Sequence, residues 1–469
     1  MNDSKQLDRS LNPINVLAIA LGSIIGWGAF VMPGETFLKS SGPLGTAIGM
    51  AIGGFIMIII AYCYGYMIQK IPVAGGAYAF SFKEFGHKHA FVCGWFLGLS
   101  YLSIVPLNAT ALGMIGRYMF PGILQKGYLY SVAGWEVYLG EIIFSAIALI
   151  IFAVISIKGA KISGNVQTIM ALFLVGSIII LMLVAIFSDK TSINNLKPLF
   201  SPDVPPISGI LSIVAIAPWA YVGFDSIPQA VEEFKFSSKG AFRLMIISIV
   251  FGGIMYIAMN TITAIVYPWN EFISSNPFWA TGDSIKQLMG NIGIMILGIA
   301  LLSATLTGIC GFYMTTSRLL FSMSRTKALP SWFGIIHPKY KTPINAIKFV
   351  LIVSLIAPWF GRQVLSWIVD MASIGTAIGY FYTAVSTFKS VRKRRENMHL
   401  KIFSIVASIL SLGFVALLIV PGMPSYLALP SRIALIVWII LGFAFYTRSR
   451  SSYSNLTNDE IEKLIFNEE

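Results

Sequence analysis

Two short strings combine residue types that interrupt a helix with residue types that could hold a small polar solute. The first, Gly22-Ser23-Ile24-Ile25-Gly26-Trp27-Gly28, puts three glycines into seven residues of an otherwise apolar run. Each of them gives up about 1 kcal/mol of helix propensity relative to alanine. The second, Pro218-Trp219-Ala220-Tyr221-Val222-Gly223-Phe224-Asp225, sets a proline, a glycine and an acid into another apolar run. Where a helix unwinds, N–H groups are exposed at the start of one half and C=O groups at the end of the other, and the half-helix dipoles add charge of matching sign. The N–H groups near residues 26–28 then suit a carboxylate, and the carbonyls near residues 217–221 suit an ammonium. Glycine fits such a place because a missing side chain lets a solute reach the backbone.

Asp225 is the one acid near the middle of any apolar run. At that depth a carboxylate costs about 3 kcal/mol on insertion scales and is a functional candidate by default. It could hold a proton that is released in a cycle, face an ammonium through water, or bond locally to freed backbone N–H groups. Asp370, Glu35 and Glu141 fall nearer the ends of their runs, where solvated-face or gate roles are expected. Ser303, Thr305 and Thr307 suit hydrogen bonds between helices, and Thr307 is also a candidate partner for sodium together with carbonyls of the first interrupted run.

The elements that must position these residues are membrane helices. Of 469 residues 56% are apolar and 11% charged, against roughly 45–50% and 25% in a soluble domain. Apolar runs recur at 14–37, 45–68, 90–118, 137–157, 166–187, 207–230, 244–267, 292–321, 344–360, 364–388, 402–420 and 431–446. Each is near the length of about 20 residues needed to cross a hydrocarbon layer. Lipid offers backbone groups no partner, so the runs must be helices. The expected fold is an all-α membrane protein of 12 transmembrane helices. The two interruptions lie five helices apart, so the broken helices run in opposite directions, which fits an inverted repeat of five plus five. The expected organisation is a cytoplasmic tail 1–13, a core 14–389 with repeats at about 14–187 and 207–389, two further helices within 390–447, and a cytoplasmic tail 448–469.

A net charge of +13 is also what a nucleic-acid-binding protein carries, but most of the Lys and Arg sit in alternate loops, which is the positive-inside pattern and excludes that reading. Both termini are therefore expected in the cytoplasm, with Arg392-Lys393-Arg394-Arg395 in a cytoplasmic loop near anionic lipid. The polar start lacks a short apolar core with a cleavage site, so the first span is expected to be retained. Cys63, Cys93 and Cys310 fall in apolar runs without paired spacing, and neither a disulfide nor a metal site is expected. His87, His89 and His337 sit in loops without ligand partners, so no enzyme chemistry, no catalytic residue and no cofactor are expected.

Four landmarks, in the correct helices, resemble the amino acid–polyamine–organocation superfamily, and in particular the cationic amino acid transporter-like branch of its amino acid permeases. They are GSIIGWGAF at residues 22–30, Pro72-Val73-Ala74-Gly75-Gly76-Ala77-Tyr78, Tyr221-Val222-Gly223-Phe224-Asp225 followed by Glu232-Glu233, and Ser373-Ile374-Gly375-Thr376. The resemblance extends along nearly the whole chain. It implies a LeuT-like fold and a secondary active transporter of an amino acid, working by alternating access at a central site between the first, third, sixth, eighth and tenth helices. Backbone at Ile25, Gly26 and Gly28 would surround the substrate carboxylate, and Tyr221 and Gly223 its amine. Trp27, Trp219 and Phe224 complete the expected substrate-binding set, and Asp225 and Thr307 the expected coupling set.

Two departures matter. Trp27 stands where the family usually has Ser or Thr, which favours a substrate that is small and neutral overall. Many sodium-independent relatives carry a fifth-helix lysine in place of a sodium ion, and here Ala171 or Leu172 falls near that place. The coupling ion is accordingly H+ or Na+. The expected location is the cell inner membrane, with the lipid bilayer and a small-molecule substrate as partners and no obligate protein partner. A permease for a small amine such as ethanolamine or a polyamine, or an exchanger, is the alternative.

Overall fold

The computed structural model describes residues 7–120, 122–132, 134–361, 363–423 and 425–453, with Glu460, Lys463 and Phe466. Of the two expected tails, residues 1–6 and most of 454–469 lie outside these. The chain begins with α1 (Pro13–Ile24), α2 (Gly28–Met32), a widened turn at Pro33–Phe37 and α3 (Leu38–Lys70). There follow α4 (Ala77–Phe85), α5 (His87–Met119), a hairpin of β1 (Tyr128–Val132) and β2 (Trp135–Tyr138), α6 (Leu139–Ile157) and α7 (Ala160–Phe187). The second half holds α8 (Pro206–Ala220), α9 (Ser226–Gln229), α10 (Ser238–Ile265), α11 (Trp269–Ser274), α12 (Ala280–Arg325) and α13 (Ile344–Ser354). It closes with α14 (Gln363–Arg394), α15 (Met398–Ile419) and α16 (Leu429–Tyr453).

Among the described residues nine helices are long and apolar enough to cross a membrane, and two shorter apolar helices, Pro206–Ala220 and Ile344–Phe360, accompany them. Apart from short interruptions the apolar runs are helical, as expected. The antiparallel hairpin at 128–138 was not expected from the sequence, and it takes Val137 out of the fourth span. Several helices also outrun their apolar stretches. The fifth begins at Ala160 and the tenth ends at Arg394, because polar side chains at a helix end reach water while the backbone stays hydrogen-bonded. Arg392, Lys393 and Arg394 are thus the last turn of α14 rather than loop, where cations suit the negative end of the helix dipole.

Phe187, Leu172 and Phe173 stand exposed along α7 in a way only lipid would favour. Inside the bundle α1 lies among α7, α10 and α12, α8 packs on α3, and α5 is held between α12 and α14. The last helix docks on α5 through two tryptophans. The Trp95 indole donates to the Trp438 carbonyl at 3.0 Å and Trp438 returns the bond at 3.2 Å. Their rings stack with centroids 4.6 Å apart.

Candidate functional site

α1 starts with a reciprocal capping box between Asn12 and Asn15 and ends at Ile25, whose φ of −86° and ψ of 62° leave the helix. Ile25 still donates to Leu21 at 2.8 Å. The N–H groups of the next three residues, Gly26, Trp27 and Gly28, have no hydrogen-bond partner among the described residues, as the first turn of a new helix dictates. The glycines have separate tasks. Gly22 admits Thr307 and Gly28 admits the Trp219 ring, for a Cβ there would lie 2.5 Å and 2.4 Å from them. Gly26 is the one residue of the 22–30 string that is not fully buried.

The second interruption runs from Tyr221 to Asp225. Tyr221 donates to Ala217 at 3.0 Å and Ser226 to Gly223 at 3.1 Å, and between them Gly223 takes a φ of +132°. The carbonyls of Ala217 and Trp219 are used within this turn, and that of Pro218 lies 3.5 Å from the Thr376 hydroxyl. Those of Ala220, Tyr221 and Val222 accept no bond among the described residues, so the open acceptors sit slightly later than the expected 217–221. The two breaks touch. A Cβ on Gly223 would stand 2.7 Å from Ser23 Cβ and 2.9 Å from the Ile24 nitrogen. Gly223→Ala therefore combines an unfavourable φ with a backbone clash. It is expected to lower stability by about 1–3 kcal/mol, read as a fall in the unfolding temperature in detergent.

The expected site residues divide. Trp27 lines a cavity of about 880 Å³, together with Val31, Met114, Ala215, Asp370 and Ser373. Its ring is tilted against Trp219 with centroids 5.9 Å apart. Ile25, Gly26, Gly28, Trp219, Tyr221, Gly223 and Phe224 are not in that lining. The Tyr221 side chain points away from the breaks, donating to the Met50 carbonyl at 2.8 Å beside Gly54 and Gly253. Phe224 stacks on Tyr380. Asp225 is fully buried, accepting from the Tyr101 hydroxyl at 2.6 Å and the Gly223 N–H at 2.8 Å. This is the local backbone bonding that was one of its three sequence readings. Thr307 lies 3.1 Å from the Gly22 carbonyl and 2.7 Å from the Ser303 carbonyl, joining α12 to α1.

Residues the sequence left unmarked are also here. Tyr101 is the side-chain partner of Asp225. In α7, Leu172 is 69% exposed and faces away from the breaks, which removes it from the place given to it. Gln167 instead approaches α12 at Gly311, beside Ser23. Both Gln167 and Asn108 are single amides in apolar runs, and that polarity was the available signal.

Away from the cavity, the chain is closed by ion pairs. Arg318 and Glu233 form a bidentate pair at 2.7 Å and 3.0 Å with both side chains 1% exposed. Arg325 meets Glu232 at 2.8 Å, and the same carboxylate accepts the Ala74 N–H at 2.8 Å. Tyr78 bonds Thr326, and the Ser322 hydroxyl donates to the Ala74 carbonyl at 2.9 Å. The segment before α1 adds a strap, with the N–H groups of Ser10 and Leu11 both 3.0 Å from the Glu233 carbonyl. Of the other acids, Asp370 and Glu35 line the cavity, whereas Glu141 pairs with Arg117.

Unwound backbone at the crossing of two helices in an apolar bundle, next to a cavity that Trp27 lines and away from an ion-paired side, fits a helical membrane transporter. A family described as "Amino acid permease" matches residues 11–445, and the chain belongs to that family. It is 26% identical to the branched-chain amino acid permease BcaP of Bacillus subtilis (strain 168), over 96% of this chain and 95% of the relative. It is 25% identical to the methylthioribose transporter of the same organism, with the same coverage. Cationic amino acid transporter 7, chloroplastic, of Arabidopsis thaliana is 24% identical over 81% of this chain and 65% of its own length. These relatives are transporters and permeases, not enzymes, as the sequence implied.

Proposed function

We propose that the chain is a secondary active transporter of a small neutral amino acid across the cell inner membrane, coupled to H+ or Na+ and working by alternating access. The observation that carries this reading is the row of three N–H groups at Gly26, Trp27 and Gly28 that have no partner among the described residues, with Gly26 the one partly exposed residue of the string. A carboxylate placed there gains hydrogen bonds and the positive end of the following helix. The carbonyls of Ala220, Tyr221 and Val222, on the touching break, receive its ammonium.

A fold of twelve crossings supports the reading. The long stretch Pro13–Lys70 divides at Gly42, where φ is +71°, which makes ten crossings of the nine, and the two shorter apolar helices complete twelve. The ion-paired side holds Arg318, Arg325, Lys235 and the strap before α1, so the positive-inside rule makes it cytoplasmic and turns the cavity outward.

A thermal-shift screen of the purified protein against amino acids and amines, with and without sodium, tests the function, because a ligand that binds only the folded state stabilises it by mass action. Concentrative uptake into liposomes under an imposed gradient then separates a transporter from a channel or a sensor. A second reading, a permease for a small amine or another solute without a carboxylate, is supported by the comparable similarity to a methylthioribose transporter. Stabilisation by ethanolamine but by no amino acid would favour it.

Trp27 bounds the substrate. Its indole lines the cavity and leans on Trp219, so Trp27→Ser is expected to admit larger amino acids such as leucine and phenylalanine as competitors of uptake. An unchanged competition profile would place the ring outside the binding space.

A further inference from the structure

Asn108 lies in α5, two residues after Pro106. Its amide nitrogen donates to the Ile104 carbonyl at 2.9 Å. A carbonyl only accepts, so this bond fixes which end of the amide is which and leaves Oδ1 facing the other way. That oxygen has no donor among the described residues, although Asn108 is only 3% exposed. Two glycines let the amide approach its neighbours closely. A Cβ on Gly308 of α12 would stand 2.8 Å from both amide atoms, and a Cβ on Gly26 would meet Oδ1 alone, at 3.9 Å. Oδ1 and the N–H of Gly26, neither with a partner among the described residues, thus lie next to one another, and Gly26 is partly exposed.

The flanks of the first break are divided among its neighbours. The second break presses on it at Ser23 and Ile24 through Gly223, and again at Gly28 through Trp219. Asn108, packed on Gly308, holds the flank at Gly26. An amino acid with its carboxylate on the N–H groups of residues 26–28 and its ammonium toward the carbonyls of residues 220–222 directs its side chain to that flank. We propose that Asn108 is a specificity-determining residue that accepts a hydrogen bond from the substrate's side chain. The preferred substrate is then a small amino acid with a side-chain hydroxyl or amide. This rests on the function proposed above and names the substrate class of that site. A short apolar side chain would fit the same space but leave Oδ1 unpaired, and sites built around a polar partner reject isosteres lacking it far better than apolar pockets reject an extra hydroxyl.

The test compares isosteric pairs on the full-length protein, threonine with valine and serine with alanine, by thermal shift and by competition for uptake in liposomes. The expected result is that the hydroxyl member of each pair binds at least about tenfold tighter, and that Asn108→Ala brings each pair to within about twofold. Asn108→Ser, which keeps a small acceptor, is expected to retain part of the preference and serves if the alanine variant does not fold. The wild-type comparison needs no variant at all. Equal binding within the pairs, or a preference that survives Asn108→Ala, overturns the assignment of Asn108 while the amino acid reading stands. Binding by no amino acid overturns both.

Discussion

Asp225→Asn is expected to leave the protein folded while lowering gradient-driven uptake by about 100-fold or more. The carboxylate is wholly buried, and its two bonds come from groups with different abilities. Asparagine can keep its carbonyl on the Gly223 N–H and turn its amide nitrogen toward the Tyr101 oxygen, which accepts as readily as it donates. Shape and hydrogen bonding survive, and only the charge and its proton are lost. Asp225→Ala differs, since it strands the Tyr101 hydroxyl and the Gly223 N–H at about 1–3 kcal/mol each. Uptake by the asparagine variant under an imposed proton or sodium gradient, set beside its unfolding temperature, separates coupling from support. Normal uptake would reduce Asp225 to a brace for the second break.

The second large effect concerns the buried pair Arg318–Glu233. Glu233→Ala is expected to lower stability by about 3–5 kcal/mol, because the guanidinium stays buried after its partner has gone. The remaining bond from Arg318 to the Ser317 hydroxyl, 3.0 Å long, does not neutralise it. Replacing both partners, with Glu233→Leu and Arg318→Met, is expected to bring the unfolding temperature back near that of the parent, since a packed apolar pair is often as stable as an ion pair there. Uptake should not recover with it. Charges can be rehydrated when that side opens, whereas an apolar plug resists parting in water. A double variant that transports normally would show that the pair serves folding alone.

How much was legible follows from what kind of signal each residue carried. Glycine density at 22–28 and the proline, glycine and acid at 218–225 marked both interruptions, because a helix at membrane depth tolerates such residues only for a reason. The broken backbone between α1 and α2 came through. Side-chain direction did not. Tyr221 belongs to the second break by sequence, yet its ring leaves toward Met50 because Gly54 and Gly253 make room there. That room is set by two other helices, far away in the chain. Thr307 was readable as a residue that joins helices, but its partner Gly22 was not. Asn108 and Gln167 carry a fainter signal, because a buried amide obeys the same rule as a buried charge at lower cost. The hairpin at 128–138 lies almost wholly between apolar runs, overlapping the fourth only at Val137 and Tyr138, and hydropathy is silent there.

The Trp95–Trp438 stack has an optical consequence. Two indoles whose centres are 4.6 Å apart and whose planes differ by 25° couple their electronic transitions, so their ultraviolet circular dichroism carries a split band that isolated tryptophans lack. One ring belongs to α5 and the other to the peripheral α16. The part of the split band that Trp438→Phe removes, as distinct from that of the Trp27–Trp219 pair, is therefore a built-in label-free reporter of whether the last helix is docked, and it can be followed in lipid or detergent without any added probe.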